Sequence, residues 1–556
     1  MILVRRLFAF SVCLSLCLGL SLSARAAVNR VEITTDRLYA GGASFGAVGQ
    51  YREISGKLYF SVDPQNAYNQ VIVGLDQAPR NSAGQVEFSS DFLILTPVDP
   101  DSANPLAIID IPNRGNLILP RFNQPGPGRP DGDGFLMNQG YSLIWTGWED
   151  DINSGLRIQI PKVGPRNLSV SGLGYAAVRD LASWIKYAPD ALINADYMLS
   201  FGLSQSGRFL RNYLYLGFNS DEDGRQVFDG LIPHIAGASR INLNELGARP
   251  VSQGQFTETS YPFSDDAYED PVTGLSEGTQ ENPRARLNRP KIFYTNSSVE
   301  YWGGGRVAAM VHTSPDGQHD LVLPDNVRAY LLAGTQHGPG PFPPESSESR
   351  QLPGNPHNYW WRMRALLLAM TDWIVEGTEP PASKHPRLDD GTLIPVADFD
   401  FPAIAGDVHL NRLNAGLRAP NLLLDKSGGA GAPLLLLVPQ VNTDGNEIGG
   451  IPSPDLLVPL ATYTGWNFNS PAYADPLRLF PLQGSYIPFA FSEQQRLARN
   501  DPRLSIEERY RSKEDFLQQI ADAAEGLVEQ RYLLSGDIPA IVQRASAHWD
   551  YLQGMP

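Results

Sequence analysis

YMLSFGLSQSGRFLR, residues 197–211, reads as a short apolar strand running straight into a helix, with Gly202 and Gly207 at the junction. Where a chain turns that sharply, the residue at the apex is strained, and only small side chains fit two positions to either side. Centred on Ser204, the flanks are Gly202 and Ser206, with Gly207 just beyond. Centred on Ser206 they are Ser204 and Arg208, and a long arginine crowds the turn. Ser204 is therefore the candidate nucleophile. The backbone N–H of Gln205 and the first helical turn would face its Oγ and any oxyanion formed there. Serine and glycine also build ordinary turns, so the surrounding chain has to carry the assignment.

Outward from this turn, elements alternate. Leu106–Ile111, Tyr141–Trp145, FDGLIPHIAGAS at 228–239, Lys291–Thr295 and Arg328–Ala333 read as apolar strands, and GLGYAAVRDLASWIKYAP before the turn has helical spacing closed by Pro189. Strand and helix in alternation predict a mostly parallel sheet with helices on both faces. Residues 27–97 carry alternating β-branched and aromatic runs separated by Gly, Asn and Pro, a β-rich N-terminal extension of antiparallel hairpins. The core is expected over 98–380, with an irregular, lid-like insertion at 240–289. Residues 381–556 follow a proline-rich linker and read as a mixed appendage, in which Ser505 and Glu508 form a capping box.

The chain of 556 residues has 42% hydrophobic and 19% charged residues and a net charge of −16, which disfavours nucleic acid and anionic membranes as partners. Arg5 and Arg6, the apolar run to Leu22 and the Ala24-Arg25-Ala26 site match a cleaved export signal over residues 1–26. The expected product is periplasmic or secreted, without a stable membrane anchor. Both cysteines, Cys13 and Cys17, lie inside that segment, so the mature chain has no thiol for a disulfide, a nucleophile or a metal.

Two short matches are read as coincidence. NSDEDG, 219–224, resembles the start of a calcium loop, but its twelfth position is Gly230 where a glutamate is required. Ser183 and Lys186 make an S-x-x-K pair inside a helix, without its partner motifs. No metal and no cofactor is expected.

A serine nucleophile needs an imidazole to take its proton and a carboxylate to orient that imidazole. His337, in the glycine-rich turn GTQHGPG after a strand, is the candidate base; His234, His312 and His319 are weaker. For the acid, Glu300 follows a strand directly, and Asp316 and Asp320 are the alternatives. Asn113, Arg114 and Gly115, after the Leu106–Ile111 strand, are candidates for a second oxyanion donor beside Gln205. Trp302 and Trp466 are candidates either for the wall of an apolar substrate pocket or for packing.

NRG at 113, GLSQSGRFLR at 202, NSSVEYW at 296, GTQHGPG at 334 and the C-terminal DGNEIGGI, YTGWN and DPRLSIEERY together resemble a largely uncharacterised family of secreted bacterial α/β-hydrolase-domain proteins. The elbow is also similar to that of tannases, feruloyl esterases and glucuronoyl esterases, in which the first serine of the box is the nucleophile. The resemblance implies an α/β-hydrolase fold and a serine hydrolase acting on small-molecule or polymeric carboxylic esters. A lactone, amide or polyester substrate, or a non-catalytic binding role, would fit the same motifs.

Overall fold

The computed structural model describes residues 27–126, 131–241, 243, 246–248, 261–269, 274–302, 307–404, 436–476 and 478–555. The expected export signal, residues 1–26, and parts of the expected 240–289 insertion lie outside these residues.

An eleven-stranded sheet runs through the molecule. Its main path uses β1 (Ala27–Leu38), β2 (Gly49–Val62), β3 (Val86–Pro97), β4 (Leu106–Asp110), β5 (Leu143–Thr146), β6 (Tyr197–Leu203), β7 (Gly230–His234), β8 (Lys291–Ser297) and β9 (Val327–Leu332). The spatial order is β1-β2-β3-β5-β4-β6-β7-β8-β9. Pairing is antiparallel from β1 through β3 to β5 and parallel from β5 to β9. The N-terminal β-rich segment thus continues the central sheet.

The parallel strands are apolar on both sides because both sides are covered. In β4, Ala107 and Ile109 join one core while Leu106 and Ile108 join the other; in β6, Met198 faces the first and Leu199 and Phe201 the second. The first face is covered by α1 (Leu173–Tyr187) and α2 (Gln205–Tyr215), through Tyr175, Leu181, Phe209 and Tyr213. A four-residue α3 (Val299–Trp302) follows β8. On the second face α4 (Trp360–Val375) contributes Met363, Leu366 and Met370. The C-terminal helices α5 (Lys513–Glu529) and α6 (Ile538–Gln553) bury Phe516, Ile520, Ile541 and Trp549 in that same core. A segment near Ile451 also docks on β9: Ile451 N–H donates to Leu331 O at 2.7 Å and Ala333 N–H to Ile451 O at 3.1 Å. No helix among the described residues is long and apolar enough to cross a membrane.

The two coincidental motifs meet in one structural network. Asp221 of NSDEDG accepts from Ser183 Oγ at 2.7 Å and from Arg225 Nε at 2.8 Å, and Lys186 pairs with Asp229 at 2.8 Å. These residues fasten α1 to the turn before β7. Among the described residues no group of three or more His, Cys, Asp or Glu is placed to hold a metal.

Candidate active site

Ser204 stands between β6 and α2 with φ 61° and ψ −111°. For a residue with a side chain this backbone costs on the order of 1–3 kcal/mol and persists only where its surroundings hold it. Here Ser204 N–H donates to His234 O at 2.8 Å, and Ser204 O accepts the Arg208 N–H at 2.9 Å. The requirement for small flanks has a direct cause. A Cβ on Gly202 would lie 2.4 Å from the Ser206 carbonyl, and one on Gly207 would lie 2.8 Å from the His234 carbonyl. Ser206 is sealed in, its hydroxyl donating to Pro112 O at 3.0 Å. Ser206 is therefore a packing residue of the turn, whereas Ser204 sits at its apex.

The carboxyl ends of the neighbouring strands are level, since Leu203 pairs with His234, His234 with Thr295 and Ser297 with Leu332. The turns after β6, β8 and β9, which carry Ser204, Glu300 and His337, leave the sheet at one edge. Glu300, fully buried, meets His337 Nδ1 at 2.7 Å through Oε1. Its other oxygen accepts from the Ser297 N–H at 3.1 Å and from the Ser297 hydroxyl.

His234 lies between the two halves of this arrangement. Its carbonyl holds the Ser204 N–H, and its ring packs 5.1 Å from that of Tyr359, whose hydroxyl donates to the His337 carbonyl at 2.9 Å. Burial, with the nearby charge of His337, pushes the His234 pKa down to about 3, so this imidazole is neutral and structural. His312 is also a buried neutral imidazole, bonded to Tyr301 Oη at 2.9 Å, and His319 is exposed. The alternative acids serve elsewhere: Asp316 closes its own turn on Ser314 and Gln318, and Asp320 accepts the Leu388 and Asp389 N–H groups.

On the opposite side, the 113–115 turn has positive φ at Arg114 (50°) and Gly115 (78°). Asn113 spends its N–H on Asn116 O at 2.9 Å, and its side-chain amide holds Leu203 O at 2.7 Å, tying this turn to the end of β6. The buried Glu149 accepts from Gln205 Nε2 at 2.9 Å. Burial and Asp151 push its pKa up to about 8, against the pull of Arg114, the Gly115 N–H and Gln205. Of the three backbone donors in the turn, Asn113 and Gly115 thus face other acceptors, leaving the Arg114 N–H.

A family profile described as "Alpha/beta hydrolase domain" matches residues 143–543. The chain belongs to the alpha/beta hydrolase domain family. Among curated protein sequences none matches it. Solved structures similar to this hydrolase domain include a CE15 glucuronoyl esterase from Caldicellulosiruptor kristjansonii, 12% identical with a TM-score of 0.27 over 59% of this chain and 80% of that one. The rice cell wall degrading esterase LipA from Xanthomonas oryzae is 11% identical with a TM-score of 0.25, over 55% and 92%. Acetyl xylan esterase 1 from a Thermoanaerobacterium species is 10% identical with a TM-score of 0.25, over 54% and 79%.

Trp302 and Trp466 meet, with ring centroids 6.0 Å apart, but only 1% and 2% of their surface is exposed. Phe399 lies 4.7 Å from Trp302 and Phe401 5.2 Å from Trp466, so in the hydrolase domain these rings pack a core. Of the two places open to them, pocket wall and packing, their burial favours packing, since apolar aromatic character suits either. Sequence reading also passed over Glu447, from the DGNEIGG turn. Its Oε2 accepts from Ser298 Oγ at 2.6 Å and from the Gly334 N–H at 2.8 Å, while Ser298 Oγ accepts the Thr335 N–H at 3.1 Å. Glu447 therefore staples the loop of Glu300 to the loop of His337. The signal available for it was a lone glutamate in a turn otherwise built of Asp, Gly, Asn and Ile448.

Proposed function

We propose that the chain is a cofactor-independent serine hydrolase that cleaves carboxylic esters through an acyl-enzyme. The observation that carries this reading is the 2.7 Å contact of Glu300 with His337 Nδ1 at the same sheet edge as the strained Ser204. With Nδ1 committed to Glu300, Nε2 of His337 is the nitrogen left to accept the Ser204 proton. Ser204 Oγ then attacks the ester carbonyl carbon. The carbonyl oxygen becomes an oxyanion held by the Gln205 N–H, in the first turn of α2, and by the Arg114 N–H. His337 returns the proton to the departing alkoxide, and water, deprotonated by His337 in its turn, releases the acid and restores Ser204. The basic and apolar opening of the sequence supports placing this enzyme in the periplasm or outside the cell.

A fluorophosphonate probe tests the chemistry. Mass spectrometry should find the adduct on Ser204, with labelling abolished in Ser204→Ala and strongly slowed in His337→Ala. An unlabelled wild-type protein, or an adduct elsewhere, would sink the reading. Rates on a matched ester and amide then distinguish an esterase from an amidase.

A further inference from the structure

Past His337 the chain borders a cleft of about 440 Å³ that the proposed acyl transfer does not use. Pro339 and Gly340 form one side, Trp360, Trp361 and Phe342 give it aromatic walls, and Arg121 and Arg544 line it as well. Among the described residues no carboxylate lines it, although Asp and Glu outnumber Lys and Arg by 60 to 44 in the chain. Trp360 connects the cleft to the site: its ring lies 5.8 Å from that of His234, whose carbonyl holds the Ser204 N–H.

The two arginines differ in how they are held. Arg544 donates to Pro356 O and lies 5.9 Å from both the Phe342 and the Trp361 ring. Arg121 is exposed, and its guanidinium makes no hydrogen bond or ion pair with a described residue. Its Nη1 lies 4.0 Å from the position a Cβ would take on Gly338, the residue after His337. Its backbone is fixed from below: buried Asp110 accepts the Ile118 and Leu119 N–H groups at 2.6 and 2.9 Å and Trp145 Nε1 at 2.7 Å, anchoring the turn Leu119–Asn123 that presents Arg121. A guanidinium carried on an anchored backbone, without an acceptor among the described residues and beside aromatic walls, suits a carboxylate on an apolar frame, because its planar fork matches two carboxylate oxygens.

We propose that this cleft is a subsite for an anionic part of the substrate, so that the favoured esters carry a free carboxylate that Arg121 binds with Arg544 as second cation. This rests on reading Ser204 as the nucleophile of an esterase, and the test separates the two. On the acyl side, the mono-4-nitrophenyl ester of glutaric acid is compared with 4-nitrophenyl valerate. On the alcohol side, the butyrate ester of 4-hydroxybenzoate is compared with that of 4-methylphenol. In one of the pairs kcat/KM should favour the charged member by about tenfold or more, and Arg121→Gln should reduce that ratio by about tenfold, with Arg121→Lys restoring part of it. No charged preference in either pair, or an unchanged ratio in Arg121→Gln, overturns the proposal. Calorimetry on the Ser204→Ala protein reads the cleft without turnover. Phenylacetate should bind about tenfold more tightly than neutral phenylacetamide, and the added Arg121→Gln exchange should erase the difference. Equal binding of the two overturns the subsite; retained discrimination in a protein that hydrolyses no ester supports it and leaves only the esterase reading to fail.

Discussion

Two buried glutamates flank the same short turn, and their surroundings give them different work. Glu300, from the turn after β8, faces an imidazole at 2.7 Å. Glu447, from the C-terminal region, accepts hydrogen bonds from two neutral donors, Ser298 Oγ and the Gly334 N–H. Burial pushes the Glu447 pKa up to about 7, with Gly334, Ser298 and Arg362 pulling the other way. A buried carboxylate beside a titratable base can orient it and stabilise its cation; one beside fixed dipoles serves as a clasp. The difference teaches that burial alone does not single out the acid proposed to serve His337, and four measurements would break or sharpen that contrast.

The largest effect belongs to the imidazole that separates the two glutamates. His337→Ala should lower kcat on a simple ester on the order of 10⁶-fold, and adding Ser204→Ala should lower it little further, because members of one relay are not additive. Steady-state rates of the single and double variants check this. Glu300→Gln should lower kcat by roughly 10⁴-fold with KM little changed, since the amide neither selects the right tautomer nor stabilises the imidazolium. If Glu447→Gln were the more damaging of the two exchanges, the contrast would collapse.

Glu447→Gln should instead lower kcat by about tenfold, as loosened loops misplace His337 relative to Ser204. Its stability signature has a definite sign. The folded pKa of Glu447 lies above its ordinary value of 4.5, so its favourable contribution is complete below pH 4.5 and is lost as pH rises through about 7. Urea unfolding should show wild type losing roughly 1–3 kcal/mol relative to Glu447→Gln between pH 5 and pH 8. A pH-independent difference would remove the clasp from the account. The smallest effect is expected at Ser206→Ala, which removes one of two donors to the buried Pro112 carbonyl, the hydroxyl at 3.0 Å, and leaves Trp148 Nε1 at 2.7 Å. About 1–2 kcal/mol of stability should be lost, while fluorophosphonate labelling at Ser204 persists.

Much of this was legible in the chain itself. The small residues around Ser204 announced an elbow, and the alternation of apolar runs announced the parallel sheet, because turn geometry and strand burial are written in neighbouring residues. Glu300 and His337 were legible from their places after strands. Hydrophobicity could not assign Trp302 and Trp466, since an aromatic ring suits a core as well as a pocket. Glu447 and Glu149 could not be assigned from their neighbours, because each meets its partners far along the chain. The C-terminal helices read as an addition, yet Phe516 and Trp549 share a core with Phe201 and Ile232.

By itself, the sequence determined which residues are able to do chemistry and where the chain turns, since both follow from side-chain type and from contacts a few residues apart. Tertiary structure decided which of them meet. Parallel pairing of β6 through β9 levels their carboxyl ends and brings turns separated by more than a hundred residues to one edge. No local pattern encodes that register, because it is set by two cores closing at once on opposite faces of the sheet.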